Sequence, residues 1–296
     1  MASLIEWKVP QAVQPRAEDY SYDLERALSS VVGLHSIIPP DAFTADTLGV
    51  ERAGNGVLID DGLVLTIGYL ITEADTVWLH LGDGRVVQGH ALGFDQETGF
   101  GLVQALGKID LPSLKIGSSK SAEVGERVVV GGAGGRTRSL AGRIAAKQEF
   151  AGYWEYVLDE AIFTYPAHPN WGGTALISGE GKLIGIGSLQ LERAREGKNE
   201  HLNMVVPIDL LNPVLDDLRK FGRANRPARP WLGLSLGSLP SGISPAGTVS
   251  FSQPQSKHTG CVCPHASGPP VCMLVSELLR TNGGPSIPLP ARFAPR

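Results

Sequence analysis

Three groups of residues carry side chains able to do chemistry. The first is His168-Pro169-Asn170-Trp171-Gly172-Gly173-Thr174, where a histidine, a hydroxyl and paired glycines fall close together. Hydrolysis by a hydroxyl needs an imidazole within hydrogen-bond reach, so His168 with Thr174 is the dyad this segment can offer. The plainer reading of His168, as of His80 and His90 on strand-like stretches, is a surface or hydrogen-bonded histidine. The second group is Cys261, Cys263, His265 and Cys272, the only cysteines in the chain together with one histidine. That inventory suits zinc, but Cys-x-Cys spacing without surrounding structure does not, and no metal or other cofactor is expected. The third is the run of five basic residues from Arg219 to Arg229. No aromatic platform interleaves them, so a solvated linker is favoured over a nucleic-acid site.

The elements that would position these residues are mostly strands. The chain has 296 residues, 37 of them glycine, with 42% hydrophobic and 19% charged side chains and a net charge of -4. Such a balance fits a globular domain rich in tight turns, and it supplies no field to attract nucleic acid or anionic membranes. No stretch approaches the ~18 consecutive apolar residues of a membrane span. The first residues lack the basic-then-apolar order of a secretory leader, so the sequence as written is expected in the cytoplasm, or in the periplasm if its true start lies upstream. A short amphipathic helix is predicted around Leu24 and Leu28. Period-2 stretches follow at 30–37, 57–59, 63–67, 76–81, 85–92, 100–106, 127–131, 140–147, 156–164, 174–178, 182–189 and 202–206, with hairpin signals at Asp60-Asp61-Gly62 and Gly82-Asp83-Gly84. Short strands at this spacing predict an antiparallel barrel or sandwich. One longer helix is predicted at 208–221, ending at Gly222. Residues 235–296 hold ten of the 21 prolines and only five charged residues, a composition that should not fold alone.

Three segments carry a resemblance. Gly54-Asn-Gly-Val-Leu-Ile-Asp-Asp-Gly-Leu-Val-Leu-Thr66-Ile-Gly-Tyr69 resembles the G-S-G-x-I-I-x-x-x-G-x-I-L-T-N-x-H stretch of the HtrA (Deg-type) trypsin-like serine proteases. Gly93-Phe-Asp95-Gln-Glu-Thr98-Gly99-Phe-Gly-Leu102 resembles their G-x-D-x-x-T-D-L-A-L, and His168 to Leu176 resembles N-P-G-N-S-G-G-P-L. The similarity runs from about Leu28 to Leu218. It implies an all-β fold of two antiparallel barrels, chymotrypsin-like, with short flanking helices. The implied layout is an N-terminal extension and helix over 1–27, the protease-fold domain over 28–221, a linker at 222–230, and the start of a truncated PDZ domain with a disordered tail over 231–296.

In the same registers the family's histidine, aspartate and serine fall on Tyr69, Gly99 and Gly172. Tyrosine, which titrates near 10, is a poor base at neutral pH, and glycine supplies neither nucleophile nor carboxylate. The expectation is therefore a homologue that is not an enzyme and that binds polypeptide or a protein partner. Tyr69, Asn170, Trp171, Gly172 and Gly173 form its candidate peptide cleft. The two aromatic residues either fill the vacated cavity or line that cleft. Alternatives are an active serine endopeptidase with a rearranged site and a purely structural oligomer module. Self-association as a trimer is implied by the resemblance alone; no nucleic-acid or membrane partner is expected.

Overall fold

The computed structural model describes residues 8–152, 155–195 and 198–227. The cysteine group and the PDZ-like opening at 231 lie outside them. Among the described residues twelve strands form two closed barrels of six. The first contains β1 (Val31–Ile37), β2 (Glu51–Asp60), β3 (Leu63–Ile67), β4 (Thr76–His80), β5 (Val86–Phe94) and β6 (Phe100–Ala105). The second contains β7 (Arg127–Gly131), β8 (Leu140–Ala151), β9 (Val157–Tyr165), β10 (Ala175–Ile177), β11 (Leu183–Arg195) and β12 (Lys198–Pro207). Neighbours run β1-β2-β3-β6-β5-β4 in the first and β7-β8-β9-β12-β11-β10 in the second, so one topology occurs twice. All pairs are antiparallel, and β1–β4 and β7–β10 close the circles. Closure leaves no unpaired edge, and bulges such as those between Ala91 and Gly93 or Gly187 and Leu189 bend the strands enough to permit it.

The expected fold class is what forms. The β3 and β7 bounds agree with the period-2 stretches, whereas β2, β8, β11 and β12 run further than their apolar alternation reached. Paired backbone extends them through stretches where polar residues and glycines outnumber apolar ones, although Phe150 and Leu191 there are buried, and so weak an alternation does not register as a period. Aliphatic residues and phenylalanine are buried on both faces of the strands: Val64, Leu65, Leu79, Phe100 and Leu102 in the first barrel, Val129, Ile162, Phe163, Leu183 and Met204 in the second, each at most 1% exposed. Each such side chain stabilises the fold by roughly 1.5–3 kcal/mol relative to exposure.

Helices seal the ends. In α1 (Leu24–Ser29) Asp23 caps the first turn by accepting from Arg26 N at 3.0 Å, and Leu24, Ala27 and Leu28 are buried. The short α2 (Ala45–Leu48), which the sequence pattern did not reveal, lies in the β1–β2 connection. The last helix, α3 (Asn212–Phe221), starts after a 3-10 turn at Ile208–Leu210, tolerates Pro213 in its first turn, and stops at left-handed Gly222. It returns from the second barrel to lie on β5 of the first; a Cβ on Gly93 would sit 1.9 Å from the carbonyl oxygen of Gly222.

Between the barrels one polar residue makes most of the connections. Asn55 on β2 is 1% exposed. Its backbone N–H donates to Gly172 O (2.8 Å), its Nδ2 to Asn170 O and Gly172 O (both 3.0 Å), and its Oδ1 accepts from Ala133 N (2.9 Å). Gly173 presses on the same residue at φ +75°, where an added Cβ would lie 1.8 Å from Asn55 O. Gly173→Ala should therefore lower unfolding free energy by at least ~3 kcal/mol, because a left-handed backbone and a backbone clash combine. Gly179→Ala, with open space around its Cα, should change it by no more than about 0.5 kcal/mol. Urea unfolding of both variants checks the contrast; equal effects would mean the junction yields.

Candidate functional site

Tyr69 lies in a 3-10 turn, Gly68–Leu70, that ends β3. The turn forms because Gly68 O accepts from Ile71 N (3.0 Å), Thr72 N (2.9 Å) and Thr72 Oγ1 (2.8 Å). Buried Arg52, not singled out from the sequence, braces its outside by donating from Nη1 to Tyr69 O (2.7 Å) and Thr72 O (3.0 Å). Gly68 N donates to Gly99 O at 2.7 Å, which places Tyr69 beside the Asp95–Gly99 turn. That turn is built by Asp95, whose Oδ2 accepts from Thr98 N (3.1 Å) and Thr98 Oγ1 (2.8 Å). Gly99 has φ +79°, and a Cβ there would lie 2.4 Å from the Tyr156 ring. A Cβ on Gly172 would lie 2.9 Å from the Tyr69 hydroxyl. The fold thus gathers Tyr69, Gly99 and Gly172 around two phenols.

Those phenols share Ser188, at the β11 bulge. Tyr69 Oη donates to Ser188 O at 2.6 Å and accepts from the Trp171 indole, while the Tyr156 hydroxyl bonds Ser188 Oγ. Glu155, 4% exposed, stands beside both rings. Burial pushes both phenol pKa values up, and the negative charge of Glu155 adds to it. Both stay protonated across the neutral range and act as hydrogen-bonding groups rather than bases. Trp171 is half-buried, so its ring neither fills the junction completely nor stands free of it.

The other sequence candidates point elsewhere. His168 is fully buried; its Nε2 donates to Arg138 O (2.8 Å) and its Nδ1 accepts from Asn170 N (3.1 Å), a tautomer assigned from these partners. Thr174 Oγ1 donates to Trp171 O at 2.9 Å. Base and hydroxyl are each engaged with main chain, and the dyad does not form. Gly173 N donates to Gly187 O at 2.8 Å, so that N–H faces β11. His80 and His90 lie on β4 and β5. Asn55, Tyr156, Ser188 and Glu155 were missed as site residues; only the glycines flanking Asn55 signalled that something packs closely there. Beside the phenols opens a cavity of about 550 Å³ whose walls include Phe43, Leu48, Tyr69, Phe94 and Tyr156.

Two measurements follow from this geometry. Tyr69→Phe removes the partner of Ser188 O and of the Trp171 indole and should cost about 1–3 kcal/mol in urea unfolding. Burial holds the His168 imidazole below its usual 6.5. A base kept neutral in the fold but protonated when unfolded contributes stability that is complete above pH ~6.5 and is lost as pH falls through the folded value. Melting temperature should therefore drop below about pH 6.5, and His168→Gln should flatten the decline. His80, whose pKa burial also lowers, leaves a smaller slope.

The Trypsin-like peptidase domain family matches residues 54–186. Serine endoprotease DegS of Salmonella typhimurium is 27% identical over 217 residues, covering 70% of this chain and 59% of its own. A probable periplasmic serine endoprotease DegP-like of Pseudomonas putida is 32% identical over 193 residues, covering 63% of this chain and 38% of its own. The chain thus spans less than two thirds of either relative. Among solved structures, an HtrA-type protease AlgW with tripeptide superposes with TM-score 0.55 at 21% identity, over 70% of this chain and 65% of that one, a likeness of fold. These findings correct the expectation that the chain is not an enzyme: the matched domain is a peptidase domain and both relatives are named serine endoproteases, which supports a protease. That expectation rested on three aligned positions, and replacements there describe one set of groups, not the hydroxyls and carboxylate gathered beside them. In its matched domain and its relatives the chain is similar to the HtrA/DegS trypsin-like peptidases, whose fold it shares.

Proposed function

We propose that this chain handles polypeptide, binding an extended segment at the junction of its barrels, along Tyr69, Asn170, Trp171, Gly172 and Gly173. The observation that carries the reading is the cavity of about 550 Å³ lined by Tyr69 together with Phe43, Leu48, Phe94 and Tyr156; of the five cleft residues, Tyr69 is the one that lines it. Ligand sites are concave and mostly apolar in this way. A half-buried Trp171 belongs to a cleft wall, since complete filling would hide the ring. The solved AlgW structure that shares the fold contains a tripeptide. A net charge of -4 fits a polypeptide partner better than nucleic acid. The compartment, periplasmic in the name of the P. putida relative, is carried over as part of this proposal.

A second reading, endopeptidase with a rearranged site, is favoured by the names of the relatives. Cleavage would then draw on groups other than Tyr69 Oη, which is held protonated. One experiment separates the two. Labelled unfolded peptides are titrated onto the purified chain, and casein turnover is followed with and without an irreversible serine reagent. Saturable binding that Trp171→Ala weakens at least about fivefold, roughly 1 kcal/mol, in a folded protein supports polypeptide binding. Casein turnover blocked by the reagent assigns the endopeptidase reading. A chain that neither binds nor cuts refutes both.

A further inference from the structure

The second barrel carries a cavity of its own, of about 350 Å³, whose walls include Val124, Arg143, Ile144, Tyr165, Arg193 and Glu200. None of these lines the cavity beside Tyr69. Strand register brings the positive charge together. Arg143 on β8 pairs with Tyr165 on β9 and, on its other side, with Arg127 on β7. Residues directly opposite share a face, so two guanidinium-bearing side chains stand next to each other, which costs stability while nothing negative lies between them. Among the described residues neither Arg127 nor Arg143 makes an ion pair. Arg143 instead lays its guanidinium over the Tyr165 ring, 5.9 Å from the centroid. Glu126, beside Gly125, is engaged elsewhere, its Oε2 accepting from Glu123 N at 3.1 Å.

Arg193 is a second, independent sign. Its Nη2 donates to Glu200 Oε2 at 2.7 Å, which engages the carboxylate of the cavity wall. Its Nε is buried and has no hydrogen-bond partner among the described residues. Buried donors are nearly always satisfied, and a guanidinium edge short of an acceptor matches a carboxylate. Two guanidiniums against one carboxylate leave the wall with an excess of positive charge. The apolar part of the wall narrows the choice of anion. Ile144 is fully buried, Val124 is 60% exposed, and with the Tyr165 ring they offer a surface that a bare inorganic ion would leave unused. We propose that this cavity binds a carboxylate on an apolar stem, the glutamate side chain or the chain terminus of a polypeptide, held by Arg143 and Arg193 with Val124 and Tyr165 along the stem. Stacking on Tyr165 holds the Arg143 fork in place before the ligand arrives, which lowers the cost of ordering it. The site is separate from the barrel junction and does not rest on the reading given to that junction.

Titration of the full chain with two pairs of blocked peptides, followed by NMR at the arginine Nε–H resonances, tests this. One pair differs in an internal glutamate against glutamine, the other in a free against an amidated C-terminus. At least one carboxylate peptide should bind about tenfold more tightly than its neutral counterpart, as for one charge-assisted hydrogen bond, and the pair that shows the difference names the source. Arg143→Gln, at an exposed position, should remove the difference. Arg143→Lys keeps the charge but not the fork and should reduce it severalfold, which keeps the test decisive if Arg143→Gln does not fold. Trp171→Ala should leave it unchanged. The inference is overturned if both pairs bind alike, if inorganic phosphate binds as tightly as the better carboxylate peptide, or if the difference survives Arg143→Gln. Loss of the difference in Trp171→Ala but not in Arg143→Gln would place the carboxylate at the barrel junction, overturning this site while supporting polypeptide binding there.

Discussion

The side chain of Asn55 is where the first barrel takes hold of the second. Both protons of its amide go to carbonyls of the segment before β10, Asn170 O and Gly172 O, and its oxygen accepts from Ala133 N after β7. Its own carbonyl accepts from Thr66 Oγ1 at 2.7 Å, so the residue is tied to β3 as well. An aspartate could not donate these bonds and a serine could not reach all of them. In a core otherwise built of interchangeable aliphatic contacts, this is the directional element, and it sets the height of Trp171 and Gly172 relative to the end of β3. The crowding of Gly173 against Asn55 O is the geometric consequence: the two barrels approach so closely here that no Cβ fits between them.

Given that approach, the character of the junction follows. Tyr69 leaves the end of β3 pointing at Ser188, and Tyr156 reaches the same residue from the start of β9. Two phenols, an indole and a serine form a hydrogen-bonded chain at the meeting point of the barrels, where mutual support through a low-dielectric interior makes each bond worth more than on the surface. The glycines at 99 and 172 are what those bonds require, since the Tyr156 ring and the Tyr69 hydroxyl occupy the space a side chain would use. Seen this way, the replacements at the three aligned positions are one coupled arrangement.

Much of the fold was legible because it is local. Alternation gave β3 and β7 their bounds, Gly222 marked the end of α3 through capping chemistry, and the order of three motifs pointed to paired barrels. The junction was legible only in part. The motifs name Tyr69, Gly99 and Gly172, yet the partners that occupy their space come from Tyr156 and Ser188, which lie in no motif and sit 87 and 119 positions from Tyr69 along the chain. Contacts of that separation leave no periodicity or spacing to read. His168 shows the opposite failure. Its neighbourhood looked like chemistry, but a buried imidazole bonded to Arg138 O and Asn170 N is a structural pin. Activity was the least legible property of all, because a missing residue type at an aligned position is visible in a sequence while a replacement network is not.

After finishing the second barrel, the chain returns to the first, on the side of the turn that lines the cavity. The α3 helix crosses back to β5, Gly222 seats against Gly93, and Arg226 lands on Asp95 and Glu97 in the turn that forms one side of the cavity. The opposite side is the β1–β2 connection, where Glu73 accepts from Thr44 N (2.7 Å), Thr44 Oγ1 (2.6 Å) and Phe43 N (3.0 Å) and so holds Phe43 over the mouth. Only the wall bearing Glu155 and Tyr156 belongs to the second barrel. A shift of one barrel against the other would therefore move that wall relative to the rest of the cavity, while leaving each barrel core intact. The Asn55 bonds oppose that shift. The same residue that joins the barrels thus keeps the cavity walls in register, and binding at the cavity and integrity of the junction become one physical property.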